Sequence, residues 1–177
     1  QLSSYQEESN MQIEKMTTTL QEALAEAQKI AQVRQHQSIE IAHLWKVLIQ
    51  PGQFARDFYQ ELGLDLAAFE TIIDQELDKI SVITGNLSQN LFNLFSQSEQ
   101  IATGFKDEFL STETVLLGLY AQQHNPLAQY LKSQDITEKM VKKKIVSMRG
   151  GSSVTSQNQE AQYDALKKYG EDLVAKV

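Results

Sequence analysis

Three histidines, His36, His43 and His124, are the side chains best placed to bind a metal or move a proton near neutral pH. Their spacing argues against both roles. No two stand four residues apart, as a helical metal pair would need, and the chain has no cysteine to complete a zinc set. The missing thiols also exclude disulfides and a cysteine nucleophile, and fit a reducing compartment. His43 follows the start of an apolar segment and reads as a packed or capping residue. Glu22 and Glu26 lie one helical turn apart, but nothing marks them as an acid–base pair, so they read as a solvated face. No G-x-x-x-x-G-K-[ST] phosphate loop occurs, and Gly150-Gly151 has no lysine after it. ATP binding is therefore not expected of this chain, and no enzyme chemistry is visible in it.

Charge narrows the remaining classes. The net charge is -7 with a pI near 5.0, the wrong sign for a dedicated nucleic-acid or anionic-lipid binder. Lys142-Lys143-Lys144 sits near a helix C-terminus, where cations are favoured, and lacks the interleaved aromatics of a single-strand site. There is no apolar run of membrane-spanning length and no secretory leader pattern, so a soluble cytoplasmic protein is expected.

The elements that must carry any site are helical. Leu20, Leu24, Ala27 and Ala31 repeat at three-four spacing, with Met16, Ala23 and Ile30 flanking that stripe and Thr17, Thr18 and Thr19 offering capping hydroxyls near the start. Ile41 to Ile49 is a second segment, ended by Gln50-Pro51-Gly52. Gln53 to Glu61 is a short helix with Gly63 at its C-terminal cap. Asp65 caps a helix that turns Phe69, Ile72, Ile73, Leu77 and Ile80 inward. Thr84-Gly85-Asn86 is a break. Ser88 caps the next helix, which carries Leu91, Leu94, Phe95 and Ile101. Ser111-Thr112-Glu113, Asn125-Pro126 and Thr137 open three more, the last ending at Arg149-Gly150-Gly151. Leu44 and Trp45 read as core. No β alternation is sustained, so the fold class is all-α.

The chain repeats itself. At the offset that separates Ile30 from Ile101, Ile30-Ala31 falls on Ile101-Ala102, Ile39 on Leu110, Leu44 on Val115 and Leu48 on Leu119. One residue further, Ala67-Ala68-Phe69 meets Lys139-Met140-Val141. Each unit, residues 16–80 and 88–149, has about four helices. Two such units bury their apolar stripes against each other about a pseudo-two-fold axis. One domain over residues 11–151 is expected. Residues 1–10 are polar and patternless, and read as a remnant ahead of a natural start at Met11. Residues 152–177 read as a polar linker followed by a sparse helical stripe, Tyr163, Leu166, Tyr169, Leu173 and Val174.

These residues carry a resemblance. Met16-Thr17-Thr18, the run Ile39 to Leu44, its partner Phe109-Leu110-Ser111-Thr112-Glu113, Met148-Arg149-Gly150-Gly151, Val154 to Gln159 and Tyr163 to Leu173 resemble the N-terminal domain and linker of the Hsp100/Clp family, in its protein-disaggregase branch. That resemblance spans Met11 to Val177. It implies a parent that is a hexameric ATPase threading polypeptides through a central pore. ATP and Mg would belong to modules after this one, so the linker would lead to an ATPase module missing here, and this piece itself would need no cofactor. The implied partners are unfolded or aggregated polypeptides, the remaining parent modules, and an Hsp70-type chaperone acting on parts absent here.

The resemblance also implies a site. The family's domain touches unfolded substrate through polar residues matching Thr17, Asp107 and Glu113, and through a shallow apolar groove for which Phe95 and Ile101 are the candidates. Residue chemistry leaves other roles open: Thr17 as a helix cap, Glu113 as a helix N-terminal carboxylate, Asp107 as a solvated loop charge, Phe95 and Ile101 as core. Gln97 and Thr114 stand where the family often has leucine, or histidine or leucine. The second function considered is an adaptor- or phosphoarginine-binding domain of a protease-coupled Clp ATPase. That group places matched glutamates in both repeats. Here Glu113 keeps one and Ala42 replaces the other, which removes a charge-assisted partner.

Overall fold

The computed structural model describes residues 13–36, 38–80 and 88–157. The reading of residues 1–10 and Met11, the break at Thr84-Gly85-Asn86, Asn158-Gln159 and the stripe from Tyr163 onward lie outside the described residues. Within them the helices are α1 (Thr18–Val33), α2 (Ile41–Leu48), α3 (Phe54–Glu61), α4 (Leu66–Asp78), α5 (Gln89–Gly104), α6 (Thr112–Gly118), α7 (Pro126–Ser133) and α8 (Glu138–Arg149). A single turn of tighter helix, Leu119–Ala121, extends α6. No strand forms among the described residues; one isolated parallel bridge joins Met16 to Leu110.

Local chemistry accounts for the boundaries. Thr17, Asp65, Ser88, Ser111, Asn125 and Thr137 each accept a first-turn amide with a side-chain oxygen, satisfying donors that have no intrahelical partner. Pro126 takes the first turn of α7. His43 closes α2 reciprocally: its Nδ1 accepts the Glu40 amide at 2.9 Å. Gly150 ends α8 at φ +55, the left-handed conformation that costs glycine least.

The duplication is visible in three dimensions. Helices α1 and α5 both have 16 residues. Gln35 and Lys106, at matching places just past them, share a left-handed φ of 60 and 61. His36 and Asp107 then both return their amides to the helix, on Ala31 and Ala102. The halves interlock, with α2 against α5, α3 against α6 and α4 against α7. At the centre Trp45 Nε1 donates to the Tyr59 hydroxyl at 2.9 Å. Tyr59 meets the Phe69 ring edge-on, and Phe69 stacks on Tyr130 of the second unit.

The α5–α6 crossing depends on Gly118. A Cβ there would stand 2.0 Å from Ser98 Oγ and 3.2 Å from Ser98 Cβ, and Ser98 Oγ is held on the Leu94 carbonyl at 2.7 Å. Gly118→Ala is expected to cost about 1–3 kcal/mol by overpacking. Ser98→Ala in the same chain should recover part of the loss. Urea unfolding of the two variants checks this; an undiminished midpoint for Gly118→Ala would show that the crossing has slack.

Candidate functional site

Arg149 organises the most unusual cluster in the fold. Val141, Ile145 and Arg149 form the buried stripe of α8, so helical spacing drives an arginine inward. Its side chain is 2% exposed, a position tolerated only with well-placed partners. Nη1 and Nη2 donate to both oxygens of Asp107 at 2.8 and 3.0 Å, and Nε donates to Glu113 at 2.6 Å. The guanidinium also lies over the Phe105 ring at 4.8 Å. Asp107 stands in the loop after α5 and Glu113 in the first turn of α6. One cation thus ties the ends of three helices together.

The cluster holds two carboxylates against one cation. Asp107 is fully satisfied, since it also accepts the Val154 amide at 2.9 Å. Glu113 leaves Oε1 buried without a partner. Burial therefore pushes the Glu113 carboxyl above its ordinary range, against the pull of Arg149. Burial opposes the charge on Arg149 too, but the bonds to Asp107 and the field of Glu113 outweigh it and hold the guanidinium charged.

The segment after α8 packs back over this cluster. Val154 is fully buried. The Glu108 amide donates to the Val154 carbonyl at 2.7 Å and the Thr18 amide to the Gln157 carbonyl at 2.8 Å. Ser153 Oγ donates to the Phe105 carbonyl. Thr17 sits under the same seam: its amide donates to the Leu110 carbonyl and its hydroxyl caps α1. The structure thus gathers Thr17, Asp107 and Glu113 into one neighbourhood and buries their side chains. Asp107 is not a solvated loop charge, because its side chain has 0% exposure in the ion pair. Residues 152–157, which composition alone assigns to a linker, are bound to the domain over their described length. Phe95 lies in the core with 0% exposure and presents no surface to a ligand. Ile101 is half-buried on α5, and of the five residues it is the one whose side chain offers apolar surface to solvent.

Sequence reasoning missed Arg149 and Val154. Both carried a signal: an arginine at the end of a four-spaced apolar stripe, and the one apolar residue in a polar run. The histidines resolve differently. His36 Nδ1 and His43 Nε2 are 2.9 Å apart. Because His43 Nδ1 is an acceptor, its proton must sit on Nε2 and point at His36. Burial, then the neighbours His36 and Arg34, lower His43 to about 4. Among the described residues no group of three or more His, Asp or Glu could hold a metal ion. Lys144 of the basic run is engaged, paired with Glu61 and lying over Phe58. A cleft of about 470 Å³ opens elsewhere between Glu40, Glu76, Asn90 and His124.

A family profile described as the Clp repeat (R) N-terminal domain matches residues 15–134. The chain belongs to the Clp N-terminal domain family. This Clp N-domain is 56% identical over 174 residues to the chaperone protein ClpB of Enterococcus faecalis, covering 94% of this chain and 20% of that one. It is 50% identical to the ClpB of Lactococcus lactis subsp. cremoris with the same coverage. The chain therefore spans about one fifth of the length of the curated relatives it matches. Among solved structures, the N-domain of ClpV from Vibrio cholerae matches with TM-score 0.69 at 18% identity, covering 82% of this chain and 92% of that one. The Hsp104 N-terminal domain from Candida albicans matches with TM-score 0.68 at 18% identity, covering 81% and 97%. These likenesses establish the Clp N-domain fold, and the matched region contains no ATPase module. Among the described residues no helix is long and apolar enough to cross a membrane.

Proposed function

We propose that this Clp N-domain is the substrate-engaging module of an ATP-dependent chaperone that acts on unfolded or aggregated proteins. The observation that carries the reading is the likeness to ClpB chaperones over nearly the whole chain. In this reading the motor lies in the remaining four fifths of a longer parent, with ATP and Mg there, and the parent assembles as a homohexamer. Binding rests on partly exposed apolar surface at Ile101, which rewards any greasy unfolded segment without reading its sequence. A single shallow surface gives weak affinity, because the area gained must first offset lost chain freedom. Six copies in a ring would raise the effective concentration.

The adaptor- or phosphoarginine-binding reading has less support. Ala42 removes one glutamate, and the Glu113 carboxylate already holds the domain's own Arg149 guanidinium. Added phosphoarginine should produce no saturable shift in the NMR spectrum of the chain. Ile101→Asp should lower binding to a permanently unfolded protein such as reduced casein at least fivefold, with the helical signal unchanged. Equal binding by the folded variant would remove Ile101 from the surface.

A further inference from the structure

The polar residues that the family resemblance assigns to substrate are occupied by the chain itself. We infer that residues 150–157 form a releasable strap, seated on Thr18, Phe105, Asp107 and Glu108 and locked through Arg149, that sets how far the helical domain can move from the chain that follows.

Four observations converge on this. Val154 is the one apolar side chain in the polar run Ser152 to Gln157, and it is fully buried, as an anchor residue would be. Both of its backbone groups are paired with the loop after α5: its amide with Asp107 Oδ1 and its carbonyl with the Glu108 amide. The Gln157 carbonyl takes the Thr18 amide at the first turn of α1, a donor that has no partner within its own helix. Gln157 Nε2 reaches the Glu14 carbonyl at 2.9 Å. The strap therefore completes hydrogen bonding at the start of α1 and in the loop after α5, two segments that the bridge between Met16 and Leu110 already joins.

The lock and the anchor share one residue. Asp107 binds the Arg149 guanidinium with two oxygens and the Val154 amide with one of them. Anything that disturbs the ion cluster thus disturbs the strap. The strap itself buries one valine and makes a handful of bonds, far less than any helix of the core, so it can open without global unfolding. Extended chain spans up to ~3.5 Å per residue, so residues 150–157, once released, would reach up to roughly 28 Å from the end of α8 in any direction instead of being held along the domain surface. In this reading Thr17, Asp107 and Glu113 serve the seat of the strap and act on substrate only through it. Unfolded-protein binding is not needed for the test, so the strap and the proposed function can fail separately.

Native-state hydrogen exchange on the whole chain tests it. The amides of Thr18, Glu108 and Val154 should be protected, should open together, and should open with a smaller urea dependence than Leu44 or Trp45 in the core. Arg149→Lys replaces a planar fork with a point charge that cannot bind both Asp107 oxygens in the same way. It should speed exchange of the three strap amides at least tenfold, and by a larger factor than the core. Exchange of the three at unstructured-peptide rates in the native chain would overturn the strap. Exchange with the same urea dependence as Trp45 would overturn its being releasable, as would strap amides accelerated by Arg149→Lys no more than the core.

Discussion

Arg149→Met is expected to lose about 3–5 kcal/mol of unfolding free energy at pH 7, because it leaves Asp107 and Glu113 buried with no counter-charge. The apolar replacement keeps the volume of the side chain's stem, so the loss reports charge more than a cavity. Glu113 is already short of one partner and its carboxyl is raised by burial. In the variant it will take up a proton more readily still. The loss should therefore be smaller at pH 5 than at pH 8. Adding Asp107→Asn and Glu113→Gln to Arg149→Met should return a large part of the stability, since no bare charge then remains. Urea denaturation of the single and triple variants measures this. A loss below about 1 kcal/mol for Arg149→Met would mean that the carboxylates reach water.

Acid should weaken the fold through His43. In the native state the ring is lowered to about 4 from an ordinary 6.5, so it stays neutral while the unfolded chain takes up a proton. Its contribution is complete above pH 6.5 and is lost as pH falls towards 4, with a total of roughly 3 kcal/mol. Geometry supplies the reason beyond burial. A proton on Nδ1 displaces the Glu40 amide that caps α2, and His36 and Arg34 on the other sides add no compensating negative charge. Carboxylates titrate in the same window, so the comparison must be differential. Gln at N3 keeps the reciprocal cap, and stability curves of the native chain and His43→Gln should converge by roughly 3 kcal/mol between pH 7.5 and pH 4. Parallel curves would show that His43 reaches solvent when protonated.

Much of the fold was legible because its signals are local. A capping side chain acts within three residues of itself, so Asp65, Ser88, Asn125 and Thr137 mark helix starts without knowledge of tertiary structure. The offset between Ile30 and Ile101 holds because each repeat must present its stripe to the same partner surface. What escaped is long-range. Arg149 meets Asp107 across 42 residues and Glu113 across 36. No local pattern joins them, and in the sequence Arg149 marks only the helix end at Arg149-Gly150-Gly151. Phe95 and Ile101 show the same limit. Both fit the stripe of α5, and only tertiary packing decides that Phe95 is enclosed while Ile101 keeps a face to water. Val154 was hidden by composition, because a polar run suggests solvent and one valine does not alter the average.

The most direct measurement is an NMR titration of the chain with reduced, permanently unfolded casein. A doubled helical module that grips loose polypeptide predicts saturable shifts, at an affinity in the micromolar to millimolar range, centred on the exposed side of α5 around Ile101 and absent from the Trp45 core. A spectrum that stays unchanged through saturating casein, or shifts that leave the residues around Ile101 untouched, would contradict it.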